Sequence, residues 1–132
     1  MKRLLCLMLT VCLLMSIVPA AFAAELPTKL QVYDAIIAMK EEYPEQAPWT
    51  NEDSYTWNAT GGTGYGCLGF AYMLSDAAFG DLPARTLKEI TIEDVRPGDI
   101  LRIKDNSHSV VILEVHDDHV IIAEGNYLGT VH

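Results

Sequence analysis

One cysteine, one histidine and two polar residues near the C-terminus carry what chemistry this sequence offers. Cys67 sits in the run GTGYGCLGFAYML, residues 62–74, just behind glycines and just ahead of an apolar helical pattern. A thiolate, not a thiol, attacks a carbonyl, and the partial positive charge of a helix N-terminus favours the thiolate. The free backbone N–H groups there can also hold the oxyanion formed in that attack. Gly64 and Gly66 would let a substrate approach the backbone closely, and Tyr65 would bring a hydroxyl to the same place. A nucleophile needs a base, and the base needs an orienting group. Of the four histidines, His108 stands at the entrance to a β-rich run and is the best placed. His116 and His119 fall at a turn at the far end of that run, and His132 is terminal. The His116/His119 spacing fixes no third ligand, so no metal is expected. If a hairpin turns at Asp117-Asp118, position 108 faces one near 127, which brings Glu124 and Asn126 beside His108. Either side chain can accept the imidazole N–H. The plainer reading of Cys67 is a buried apolar core thiol.

The elements that must position these residues are legible from local signals. Thr28 followed by Gln31 reads as a capping box, and Leu30, Tyr33, Ile36, Ile37 and Lys40 follow at helical spacing. That helix should stop before Pro44. Residues 44–66 are rich in Pro, Asn, Thr and Gly, and read as a long ordered loop with Trp49, Tyr55 and Trp57 to bury. Trp49 and Trp57 either fill the core or line a substrate groove. A second helix is expected over Cys67–Phe79, with Phe70, Leu74 and Ala77 on one stripe and Gly80 as its stop. Pro97-Gly98 makes a turn before a strand at Ile100–Ile103. Ser109–Val115 and Val120–Glu124 read as a hairpin around His116–His119, and Thr130-Val131-His132 as the start of another strand. Helices first and strands after indicate an α+β domain.

Composition sets the setting. Met1-Lys2-Arg3, the apolar run Leu4–Ala20 and the small-residue pattern Ala21-Phe22-Ala23 read as a signal peptide over residues 1–23, leaving a single domain over 24–132. Cys6 and Cys12 leave with the signal, so Cys67 is unpaired in a secreted chain. The whole chain has nine basic and eighteen acidic residues. Loss of Lys2 and Arg3 leaves seven basic against the same eighteen, a net charge of −11. That charge argues against nucleic acid or an anionic membrane as partner. No cofactor is expected, since GGTGYG lacks the following Lys-Ser/Thr of a phosphate loop.

The run YTWNATGGTGYGCLGFAYML resembles the nucleophile segment of the NlpC-type cell-wall peptidases. VRPGDILRI resembles their Pro-Gly-Asp strand and HSVVILEV their base-bearing strand. HVIIAEGNY is closer to the CHAP group (cysteine, histidine-dependent amidohydrolase/peptidases) of the same superfamily. The resemblance spans about residues 55–127, with Gly66-Cys67-Leu68 where many NlpC-type members have Asp-Cys-Ser. It implies a papain-like α+β fold, helices packed on a small antiparallel sheet, and at least one further strand beyond His132, as though the domain were C-terminally truncated. It also implies a secreted, cell-wall-associated bacterial cysteine hydrolase acting on peptidoglycan peptides, expected as a monomer. Cys67 would be the nucleophile and His108 the base, with Glu124 and Asn126 as third and fourth site residues. Tyr65, Gly66 and Trp57 would lie around the oxyanion and substrate. The alternatives are an inactive cell-wall-binding module of the same fold, or a thiol acyltransferase.

Overall fold

The computed structural model describes residues 25–84 and 86–132. The expected signal segment 1–23 lies outside the described residues. Helix α1 spans Lys29–Ala38 and opens with a capping box. Gln31 N donates to Thr28 Oγ1 at 3.3 Å, and Thr28 N donates to Gln31 Oε1 at 2.8 Å. Val32 and Ile36 form its buried stripe. Leu30, expected on that face, is 67% exposed. It stands about 200° round the helix from Val32, because each residue turns about 100°. A 3₁₀ turn at Met39–Glu41 follows α1, ahead of Pro44.

The segment expected as loop contains a hairpin. Strands β1 (Ser54–Thr56) and β2 (Thr63–Tyr65) pair antiparallel, with Tyr55 opposite Gly64. The hydroxyls of Thr56 and Thr63 meet across the pair at 3.0 Å. Gly61 N donates to Trp57 O at 2.7 Å and Trp57 N to Gly62 O at 2.9 Å, closing the connection. Gly64 seats this hairpin on helix α2 (Gly66–Phe79). A Cβ on Gly64 would lie 2.9 Å from Gly69 N, and one on Gly69 would lie 2.6 Å from Gly64 O. Two glycines facing each other leave room for backbone to lie on backbone.

Helix α2 begins one residue earlier than its sequence pattern suggests and ends at Gly80, whose φ is +61°. It buries Phe70, Ala71, Met73 and Leu74, whereas Ala77, expected on the stripe, faces solvent. Phe70 packs edge-on against Trp49, ring centroids 5.2 Å apart, and Tyr43 closes the aromatic group 5.6 Å from Trp49. Strands β3 (Ile100–Ile103), β4 (His108–Val115) and β5 (Val120–Ala123) form an antiparallel sheet in the order β3-β4-β5. Central β4 is buried over its first six residues. Val111 and Leu113 join the core that holds α1 and α2, while Val110 and Ile112 are buried on the opposite face. Over the described residues the protein is therefore α+β, with two short helices and small antiparallel sheets.

Beyond β5 the chain turns back at Leu128-Gly129, with φ of +52° and +84°, the geometry of a tight hairpin turn. Glu124 and His132 exchange backbone bonds at 2.8 Å, and Val131 N donates to Ala47 O at 2.9 Å. Thr130-Val131-His132 thus runs strand-like between the end of β5 and residues 46–48, with Val131 in the core.

Burial, reinforced by the hydrogen bond to and the charge of Glu42, holds the Tyr43 hydroxyl above its ordinary value of 10.0. The folded state thus favours neutral Tyr43. That stability is full below pH 10 or so and is lost above it, where the unfolded chain ionises first. Stability should fall on raising the pH past about 10, and Tyr43→Phe should flatten the fall in urea titrations across that range. Separately, Gly69→Ala should cost about 1–3 kcal/mol by prising the hairpin from α2, read as a lower urea midpoint. Ala77→Ser on the exposed side of the same helix should stay within about 0.5 kcal/mol.

Candidate active site

His108 is the first residue of β4, and the turn before it fixes where it starts. Lys104, Asp105 and Asn106 all have left-handed backbone, φ +49°, +54° and +69°, at about 1 kcal/mol each for a residue with a Cβ. Arg102 holds that turn closed. Its Nε donates to Asn106 Oδ1 at 3.0 Å, its Nη2 donates to Asn106 O, and its Nη1 donates to the fully buried Ser109 Oγ at 2.6 Å. Ser107 Oγ adds a bond to Lys104 O at 2.6 Å.

The β4–β5 ladder ends at the pair Val111 and Ala123, and Glu124, the next residue, leaves it within reach of the start of β4. The side chains of His108 and Glu124 meet, Nε2 to Oε2, at 2.5 Å, and His108 is 8% exposed. An ionised carboxylate only accepts, so Nε2 carries the proton and Nδ1 keeps a free lone pair. A histidine held in this tautomer is prepared to act as a base.

Cys67 is the second residue of α2, a partly buried free thiol. Its N–H belongs to the first turn, where backbone donors lack helical partners. The residue before it is gripped from every side. Gly66 has φ +53°, its N–H donates to Asp53 O at 2.9 Å, and its carbonyl accepts the Trp49 indole N–H at 2.8 Å. A Cβ there would stand 2.7 Å from Asn126 Nδ2 and 2.8 Å from Asn51 Oδ1. Those two amides are themselves joined, Asn126 Nδ2 donating to Asn51 Oδ1 at 2.6 Å. Asn126 has φ +62°, so the chain leaves its strand path there. Gly125 lies against Phe70 with no space for a side chain: a Cβ would meet its ring at 2.4 Å.

The structure therefore gives the two candidate orienting residues different partners. Glu124 bonds His108, and Asn126 bonds Asn51 beside Gly66. Among the described residues no hydrogen bond joins the Cys67 thiol to His108, whose sheet face is shared with Val110 and Ile112 rather than with the α2-bearing Val111 and Leu113. Tyr65 precedes α2 and is 63% exposed, with no side-chain bond to the helix start. Trp57 lies elsewhere. It stacks on Tyr72 at 4.4 Å and donates to Ser75 Oγ at 3.2 Å, two turns along α2 from Cys67. There it lines an apolar cleft of about 800 Å³ with Leu68, Tyr72, Phe79 and Leu101. At the β4–β5 turn, His116 and His119 stack at 4.5 Å and bond Glu114 and Asp118 respectively. Among the described residues no group of three or more His, Cys, Asp or Glu side chains is arranged to hold a metal ion.

Trp49, read from the sequence as core or groove, fills the core and holds the helix start together with Asn51 and Asp53, which no sequence motif marks. The local signal for that stretch was a turn, Thr50 N donating to Asp53 Oδ2 at 2.6 Å, but nothing local ties Asn51 to Asn126, 75 positions on. Replacing Asn51 and Asn126 by Ala singly and together should reveal a coupling of about 0.5–1.5 kcal/mol in urea unfolding. Strict additivity would mean that the two amides do not interact.

The chain matches no protein-family model, no curated protein and no solved structure.

Proposed function

We propose that this protein is a secreted, cell-wall-associated bacterial cysteine amidohydrolase or endopeptidase, of papain-like NlpC/CHAP type, acting on peptidoglycan peptides as a monomer. The observation that carries the reading is the His108–Glu124 pair at 2.5 Å, which leaves Nδ1 of His108 free. The start of α2, tied through Asn126 to the same segment that bears Glu124, supports it. In this reaction the Cys67 proton passes to His108 Nδ1 and the thiolate adds to the amide carbonyl. N–H groups of the first turn of α2 receive the oxyanion. Collapse of the tetrahedral adduct breaks the C–N bond, and the amine leaves with the proton from His108. Water, deprotonated by His108, then hydrolyses the thioester and regenerates the thiol.

A second reading, a non-catalytic binding module of the same fold, is favoured by the lack of a thiol–imidazole hydrogen bond among the described residues. The two part on one measurement, the rate of iodoacetamide alkylation of Cys67 at pH 6.5. For the hydrolase, wild type should react at least about tenfold faster than His108→Ala, and His108→Ala should lose about 10²–10⁴-fold in amide hydrolysis of wall-peptide fragments. Glu124→Gln should lose on the order of 10²-fold or more, because the tautomer is no longer fixed. A thiol that reacts only on unfolding, with fragments bound but not cut, favours the binding module. Appearance of an acyl adduct on an added amine would instead mark acyl transfer.

A further inference from the structure

Tyr127 is the meeting point of three basic side chains, Lys104 and His108 from the turn into β4 and His132 from the strand-like segment that follows Gly129. Lys104 Nζ lies over its ring, 4.7 Å from the centroid. The His108 ring stands 6.4 Å away, and the His132 ring meets it edge-on at 5.5 Å. Tyr127 is 40% exposed, so this group opens to solvent beside the His108–Glu124 pair. The chain carries a net charge of −9 with its histidines neutral, so the Lys104 ammonium is the charge this group offers an anion.

The three bases are not equally free. His108 Nε2 is taken by Glu124. His132 has both ring nitrogens engaged, Nδ1 with Gln46 Nε2 at 3.3 Å and Nε2 with Thr130 Oγ1 at 2.9 Å. The ion pairs among the described residues are all histidine–carboxylate pairs, so Lys104 has no acidic partner there. Contact with the ring steadies an ammonium without neutralising it. Its backbone is fixed as well, since Lys104 O accepts from Ser107 N at 3.1 Å and Ser107 Oγ at 2.6 Å. A side chain with a Cβ thus holds a left-handed position that glycine would take more cheaply. The ammonium and the His108 ring are separated by no more than the two ring distances laid end to end. That is at most about three residues of extended peptide, at about 3.5 Å each.

We propose that Lys104, braced on Tyr127, is a carboxylate-binding subsite beside His108. The substrate class is then a peptide carrying a free carboxylate within about three residues of the amide presented to the histidine. This rests on the hydrolase reading for the word substrate, but not for the binding itself.

The test uses the full chain with Cys67→Ala, and two probe peptides that differ by one carboxylate, acetyl-Ala-Glu-Ala-amide and acetyl-Ala-Gln-Ala-amide. Calorimetry at low salt should show the acid bound about tenfold tighter than the amide, with the ratio shrinking as salt is added. Lys104→Met, which keeps contact with the ring, should bring the ratio to about one, and Lys104→Arg should preserve it. Should Lys104→Met fail to fold, Lys104→Asn removes the charge with a residue suited to left-handed backbone. Equal binding of the two peptides, a preference that survives loss of the charge, or no binding of either at millimolar concentration would each overturn the proposal. A Lys104-dependent preference in a protein whose wild type cuts no amide would sink the hydrolase reading and leave the subsite standing. Turnover without discrimination between acid and amide would do the reverse.

Discussion

The seating of Gly66 is the constraint on which the rest of the structure depends. It is the junction between hairpin β1–β2 and helix α2, and it is bound through both backbone groups, to Asp53 O and to the Trp49 indole. Trp49 is 6% exposed and stands in the aromatic core with Phe70 and Tyr43. The helix start is thereby fixed to the hydrophobic centre and not only to its neighbours in sequence. The positive φ and the two amides within 3 Å of a would-be Cβ both demand glycine. A side chain here would strain the backbone and push Asn51 and Asn126 apart at once. Cys67 inherits its place from this one residue.

A different balance holds the histidine. The side chains of His108 and Glu124 are only 10% and 15% exposed, so each would be costly to bury alone. Together they satisfy one another, and truncating either would strand the other in a poorly solvated place. The turn that delivers His108 carries three consecutive left-handed residues, none of them glycine. Strain of that kind persists where the surroundings over-determine it. Arg102 does so with hydrogen bonds to Asn106 and Ser109, spanning the turn from β3 to β4. Its partner Ser109 is fully buried next to His108, so the strained turn and the strand it feeds are locked by one guanidinium.

How much of this was legible in the sequence follows from how local each signal is. The Thr28 capping box, the Gly80 stop, the strand Ile100–Ile103 and the last hairpin are written in neighbouring residues, and their boundaries lie within a residue or so of those expected. Hairpin β1–β2 was not legible. Its strands are three residues long with glycine at Gly64, and they are held by contact with Gly69 of α2, which no period in their own sequence announces. Leu30 and Ala77 were misplaced because a helical stripe is about 100° wide or more, and only the packing partner decides where its edges fall. The pairing of His108 with Glu124 could be framed from hairpin geometry, although Asn126 looked equally suited. Its separate partner, Asn51, lies on a segment with no periodic signal at all.

The register of β5 is what allows three consecutive residues to serve three ends. Glu124 reaches His108, Gly125 accommodates Phe70, and Asn126 turns onto Asn51 and Gly66. Side chains alternate along a strand, so a slip of one residue would send Glu124 toward Phe70 and leave His108 without its carboxylate. An irregularity in β4 between Ile112 and Glu114 sets that phase. It lets Ala123 face Val111 on one side of Leu113 while Val115 faces Val120 on the other. The backbone exchange between Glu124 and His132 then clamps the far end of the run. Helix start and histidine are thus coupled through the strand end and not through a contact of their own. Whatever disturbs Asn126 or the packing at Gly125 must be felt at His108 as well as at Cys67.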